Sequence, residues 1–389
     1  MPNLKVANPY DGSELAQVPL ADEAEIDAVI AAAHKTFDAT RNTQPFDRSR
    51  ILLSAAEALK KRRGEFADCI VAEAGKPITF AEAEVDRAVN TLTAAAEEAR
   101  RAAQGEWLDL DAYPPGKGHV GFVKRFPLGV IYGISPFNFP LNLVLHKVAP
   151  AIATGNTIVL KPSPRTPMTA IKLGELLAEA GCPKGQVNVI VTPNELAERA
   201  AHDPRVRHIT FTGSSAIGWK LKQNIPADKR VTLELGGNAP LIIHDDADLN
   251  AAIPIAASGA FGYAGQSCIS VQRILVQQSI YPTFRDRFLQ HIREKIKTGD
   301  PRDRSVIVGP MIDADALKRV RSAIDDALRG GAKVLCGNEV IGPCLTPTVI
   351  ENADPKCPLV AAEVFAPVAT LHRYNTFDEA LAMANDSVY

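Results

Sequence analysis

The chain has 389 residues, 46% of them hydrophobic and 23% charged, with a formal net charge of -2. That length exceeds one ordinary core and predicts a soluble protein of two or three domains. The near-neutral balance, with no long run of one sign, excludes a nucleic-acid surface and a polybasic membrane patch.

The first hundred residues read as mainly helical, with near-helical spacing of apolar positions over 22–38, 48–73 and 80–104. YPPGKG (113–118) is a turn, and the partial alternation of HVGFVKRF after it suits an exposed strand or ribbon. From 129 strands and helices alternate. GVIYGI (129–134), TIVLKPS (157–163), VNVIV (187–191) and HITFTG (208–213) read as strands. Helices are expected over 140–155, 166–180 and 194–202, and from Ser214. This rhythm means βαβ units and a mostly parallel sheet, in which ligands bind beyond the carboxyl ends of the strands. VTLELGG (231–237) closes the region. A second α/β region follows, with helices at 281–297 and 313–329 and short strands to VATLHRY.

Two long uncharged stretches, 129–145 and 251–272, carry prolines and polar residues and read as buried segments rather than membrane spans. The start, MPNLKVANPYDG, has no apolar signal region. The six cysteines are scattered without CxxC spacing, and no histidine stands in HExxH. Neither a disulfide scaffold nor a metal site is indicated, and a reducing, cytoplasmic setting is expected.

Five stretches can carry chemistry. In AGQSCIS, Cys268 reads either as a small core residue or as a nucleophile. In HITFTGSSAIG, Gly213, Ser214 and Gly218 shape either an ordinary strand-to-helix turn or a phosphate-binding helix start. Lys161 ends an apolar strand, where a cation can meet ribose hydroxyls or a phosphate, or simply be solvated. Asn138, set between prolines and aromatics in ISPFNFP, can donate to an oxyanion or satisfy its own loop. Glu234 lies in an apolar strand before two glycines, and burial there would raise its pKa and suit it as a general base.

These stretches occur together with EVFAPV, and Cys268 stands 34 positions after Glu234. Through PFNFP, GNTIVLKPS, FTGS, LELGGNAP, GQSC and EVFAPV the chain resembles the aldehyde dehydrogenase superfamily, from about residue 6 to its end. PFNFP, QSCISVQR and EVFAPV look most like the branch acting on lactaldehyde and on non-phosphorylating glyceraldehyde 3-phosphate oxidation. The fold this implies is α/β. It has a Rossmann-type cofactor domain (1–108 and 128–236), a β-ribbon for oligomerisation (109–127) and an α/β catalytic domain (237–389).

The resemblance makes Cys268 the nucleophile that attacks an aldehyde, and Asn138 with the Cys268 backbone N–H the oxyanion donors. Glu234 becomes the base that activates water to hydrolyse the resulting thioester to a carboxylic acid. For the cofactor, NAD or NADP, it implies Lys161, Ser163 and Arg165 at the adenosine ribose and Gly213, Ser214 and Gly218 at the pyrophosphate. Glu363 and Phe365 of EVFAPV would lie at the nicotinamide end. The implied partners are a small aldehyde and further copies of the chain, in a homodimer or homotetramer.

Members that prefer NAD often carry a glutamate three residues after the lysine. Here that place is Pro164, followed by Arg165, which favours acceptance of NADP. Ser267 precedes the nucleophile where some phosphate-substrate relatives carry arginine, which favours small uncharged or hydroxy-aldehydes. Glu234 argues against a coenzyme A-acylating relative, since hydrolysis needs that base. The sequence stops at NDSVY, within a motif that members continue, so an incomplete catalytic domain is expected and a non-catalytic relative is the other reading.

Overall fold

The structure, a computed structural model, describes residues 3–389. Strands β1 (Asn3–Ala7) and β2 (Glu14–Pro19) precede four helices: α1 (Glu23–Thr40), α2 (Pro45–Lys61), α3 (Arg63–Ala74) and α4 (Ile78–Arg101). A capping box starts α1. Asp22 accepts from the Glu25 N–H and Glu25 accepts from the Asp22 N–H. The helical run over 48–73 is broken at Arg62, whose φ of -100° and ψ of 21° end α2. Gly64, a poor helix former, follows at once in the first turn of α3. Strands β3 (Glu106–Asp109) and β4 (Val120–Val123) pair antiparallel as a ribbon that leaves Trp107, Tyr113, Phe122 and Phe126 exposed.

The alternating region then gives β5 (Val130–Ile134), α5 (Asn142–Ala153), β6 (Thr157–Lys161), α6 (Met168–Glu179), β7 (Val187–Val189), α7 (Asn194–His202), β8 (Val206–Thr212), α8 (Ser215–Asn224) and β9 (Arg230–Glu234). The five strands form one parallel sheet in the order β7-β6-β5-β8-β9. β6 is buried throughout and β5 almost so, which is why both read as unbroken apolar runs. The chain leaves β5 towards β6 and β7, then returns to pair β8 on the other flank of β5. The crevice at such a reversal, beyond the carboxyl ends of β5 and β8, is where parallel sheets bind ligands. PFNFP follows β5 there, and Gly213 and Ser214, the end of FTGS, follow β8.

The rest comprises β10 (Ala239–Ile243), α9 (Leu249–Phe261), β11 (Val271–Gln277), α10 (Tyr281–Lys295), β12 (Lys297–Thr298), β13 (Val306–Val308) and α11 (Ala314–Arg329). Then come β14 (Lys333–Cys336), β15 (Val340–Ile341), β16 (Cys344–Leu345), β17 (Thr348–Glu351), α12 (Pro358–Ala361), β18 (Val368–Tyr374) and α13 (Phe377–Asn385). A second sheet has the order β10-β11-β18-β17-β14, parallel except for β14. Its core includes the stacked rings of Phe284 and Phe288, 5.3 Å between centroids, together with Phe261.

The chain divides into two compact units. One holds Ala16–Cys69 and Glu82–Glu234 with the N-terminal segment through Val6. The other holds Ala7–Leu15, Ile70–Ala81 and Leu235–Tyr389. Among the described residues no helix is long and apolar enough to cross a membrane.

Candidate active site

In the first unit, the turn after β5 carries Asn138, which is buried. The buried carboxylate of Glu84 on α4 accepts from the backbone N–H groups of Leu141 and Asn142, at 2.9 and 3.0 Å. It thus satisfies donors that the start of α5 cannot pair within the helix and holds the PFNFP turn in place. Arg87, one turn further along α4, lies over the ring of Phe139, 6.0 Å from its centroid.

Glu234 ends β9. The expectation that it is buried is overturned. β9 is an edge strand, and its alternation puts Arg230, Thr232 and Glu234 on the exposed side. The Glu234 carbonyl accepts from the Gly213 N–H at 3.0 Å, which ties the LELGG strand to the FTGS turn. The buried titratable group beside it is one that sequence reasoning did not single out, Lys147 on α5. Its Nζ donates to Thr212 Oγ1 at 2.7 Å and to Thr210 Oγ1 at 3.3 Å. Burial pushes its pKa down to about 8, while Glu234 favours the charged form. The one available signal was a lysine inside the largely apolar helix LVLHKVAPAIA.

Lys161 closes β6 and is also buried. Burial pushes its pKa down to about 8, and its Nζ donates to Asn194 Oδ1 at 3.1 Å. Ser163 Oγ accepts from the Arg165 N–H at 3.2 Å, and Arg165 itself is exposed. Ser214 is the N-cap of α8 and makes no side-chain cap bond, and the Gly218 N–H donates to its carbonyl at 3.0 Å. Ser135, first after β5, donates its N–H to the Lys161 carbonyl, while its buried Oγ meets no partner. An orphaned hydroxyl, a buried ammonium and an open helix start fit a group bearing ribose hydroxyls and a pyrophosphate.

In the second unit the relevant residues lie at the amino ends of β10, β11 and β18. Cys268 precedes β11 and is the one exposed cysteine among the described residues; Cys69, Cys182 and Cys344 are buried. The turn leading to it runs through three successive left-handed residues, Tyr263, Ala264 and Gly265, with φ of 53°, 53° and 64°. Only glycine adopts that region at no steric cost, so the first two are strained. Gly265 is doubly required, because a Cβ there would run into the carbonyl of Ala366. The buried Gln266 side chain pins the turn: its Oε1 accepts from the Ile312 N–H at 2.9 Å.

Glu363 and Phe365 lie just before β18, and Phe365 is also left-handed, with φ 54°. The Gly237 N–H donates to Glu363 Oε1 at 3.3 Å. A Cβ on Gly236 would overlap the Glu363 carboxylate, so that group packs directly on the LELGG backbone. Burial raises the Glu363 pKa, and the Gly237 hydrogen bond opposes the rise. Buried Gln272 ties the two segments together, donating to the Gly237 carbonyl at 2.9 Å and accepting from the Val364 N–H.

The two units thus each gather part of the predicted set. The first holds Asn138, Lys161, Ser163, Arg165, Gly213, Ser214, Gly218 and Glu234; the second holds Cys268, Glu363 and Phe365.

Comparison with known proteins adds to this geometry. The profile described as Aldehyde dehydrogenase family matches residues 2–389. The aspartate-semialdehyde dehydrogenase 1 of Pseudomonas canavaninivorans is 40% identical over 388 residues, 100% of this chain and 82% of that protein. The 3-sulfolactaldehyde dehydrogenase of Priestia aryabhattai is 38% identical over 388 residues, 99% of this chain and 80% of that one. Aldehyde dehydrogenase 21 of Physcomitrella patens, solved in complex with the reaction product succinate, superposes with a TM-score of 0.96 at 39% identity. The match covers 100% of this chain and 80% of that one.

Proposed function

The chain belongs to the aldehyde dehydrogenase family, whose members are NAD(P)-dependent oxidoreductases, and from that premise we propose that it oxidises a short aldehyde to its carboxylic acid through Cys268. The observation that carries the reading is the presentation of that thiol: exposed, at the end of a strained turn, while Cys69, Cys182 and Cys344 are buried.

In this reading the Cys268 thiolate attacks the aldehyde carbon to give a thiohemiacetal. The Asn138 amide and the Cys268 N–H donate to the oxygen as it gains charge. NAD or NADP, when bound, would supply the hydride acceptor that the oxidation needs. Glu234 takes a proton from the water that attacks the thioester, and the acid leaves. Its exposure leaves it reachable by that water. Lys161 and Asn194 would hold the adenosine ribose, the start of α8 would take the pyrophosphate, and Glu363 would take the nicotinamide ribose.

The substrate we infer carries an anionic group at its far end, in place of the uncharged aldehyde that Ser267 suggested. The relatives above are named for 3-sulfolactaldehyde and aspartate semialdehyde, and the solved neighbour holds succinate. Arg87, set over Phe139 beside the oxyanion asparagine, is a guanidinium suited to a carboxylate or sulfonate. The exposed aromatics of the β3–β4 ribbon support association of several copies, most simply as a homodimer or homotetramer.

The test is reduced-nicotinamide absorbance with succinate semialdehyde and with propanal, each with NAD and NADP. Cys268→Ala abolishes turnover of both. Arg87→Gln raises KM for the semialdehyde at least tenfold and leaves propanal nearly unchanged; equal effects on both would sink the anionic-substrate reading.

A further inference from the structure

The cofactor reading leaves open which nicotinamide dinucleotide the chain prefers, and the surroundings of Lys161 address that. Pro164 stands where a carboxylate would otherwise follow the lysine, and the exposed Arg165 comes next. The turn after β6 therefore offers only positive charge to a ribose at Lys161. α7 also reaches Lys161. Its first residue, Asn194, accepts from Lys161 Nζ at 3.1 Å, so the first turn of this nine-residue helix sits on the ammonium. The next residue is Glu195, the acidic residue of that first turn, with an exposed side chain. Its carboxylate acts on the same ammonium and favours its charged form against burial. A carboxylate at this place accepts from free 2′- and 3′-hydroxyls and repels a 2′-phosphate.

We propose that Glu195, delivered by α7 rather than by the turn after the lysine, is the residue that makes this site discriminate against a 2′-phosphorylated ribose. Arg165 pulls the other way, so the preference is a balance between two opposite charges.

This rests on the cofactor reading above, and the experiment separates the two. Equilibrium dissociation constants for NAD and NADP are measured by quenching of intrinsic fluorescence on the wild type, Glu195→Gln and Arg165→Gln, without aldehyde. Glu195→Gln tightens NADP roughly tenfold, the size expected for one unit charge at a few ångströms in a half-exposed site, and leaves NAD equal or weaker. Arg165→Gln weakens NADP alone. The Glu195 effect shrinks as salt rises, which a merely structural role would not do. An unchanged NADP affinity in Glu195→Gln, or an equal change for both dinucleotides, overturns the proposal while the cofactor reading stands. Failure of the wild type to bind either dinucleotide overturns both.

Discussion

Cys268 and Glu234 show what single residues disclose and what they withhold. The signal for both was their neighbours, and it named the residues without their surroundings. For Glu234 the neighbours misled: apolar residues on either side implied burial, yet on an edge strand half of every alternation faces outward. Lys147 went unseen for the converse reason, since its burial depends on the threonines of a strand more than sixty residues away. His372, half-buried, is a second titratable group of that kind. It sits on β18 against Thr370 Oγ1 at 2.9 Å, and burial, with Arg273 adding to it, pushes its pKa from 6.5 down to about 4. The unfolded chain takes up the proton first as pH falls. Stability from this group is therefore complete above pH 6.5 and is lost as pH drops through about 4. Urea midpoints at pH 7 and pH 4.5 should show His372→Gln losing less than the wild type, by up to about 3 kcal/mol. Parallel losses in both proteins would place the acid sensitivity elsewhere.

Elements were the most legible scale. The strands of the first sheet were readable because strands covered on both faces must be apolar throughout, and the helices between them because their ends carry glycine and proline. What could not be read was the device that fixes one element to another. The start of α5 lacks a side-chain cap of its own and borrows the carboxylate of Glu84, 57 residues earlier. No local pattern announces such a cap. Glu84→Ala leaves two buried N–H groups unpaired and should cost roughly 1–3 kcal/mol in chemical denaturation. Because the same bonds hold the PFNFP turn, kcat should fall further than the stability loss accounts for. A variant with a full stability loss and an unchanged kcat would show that Asn138 does not depend on this cap.

At the scale of the whole molecule, the order of the strands was beyond sequence reasoning. Which strand pairs with which is decided by crossovers, and the sequence shows only that crossovers exist. The ribbon was legible as an exposed strand, and its surface now carries a prediction. If copies associate through β3 and β4, a Trp107→Ser, Phe122→Ser double variant should sediment as a smaller species than the wild type with an unchanged far-ultraviolet spectrum. Identical sedimentation would move the association surface elsewhere.

The turn before Cys268 has a further consequence, for anyone who would redesign the substrate range. Tyr263, Ala264 and Gly265 are committed by backbone angle, and Gln266 by a bond to Ile312. A library that randomises the whole loop therefore spends most of its members on chains that cannot make the turn. Ser267 and Ile269 carry no such commitment, and Ile269 is 75% exposed. The loop behaves as a fixed holder with two interchangeable jaws on either side of the thiol. Directed evolution confined to those two positions should change which aldehydes are accepted while leaving the holder, and the cysteine's presentation, as they are.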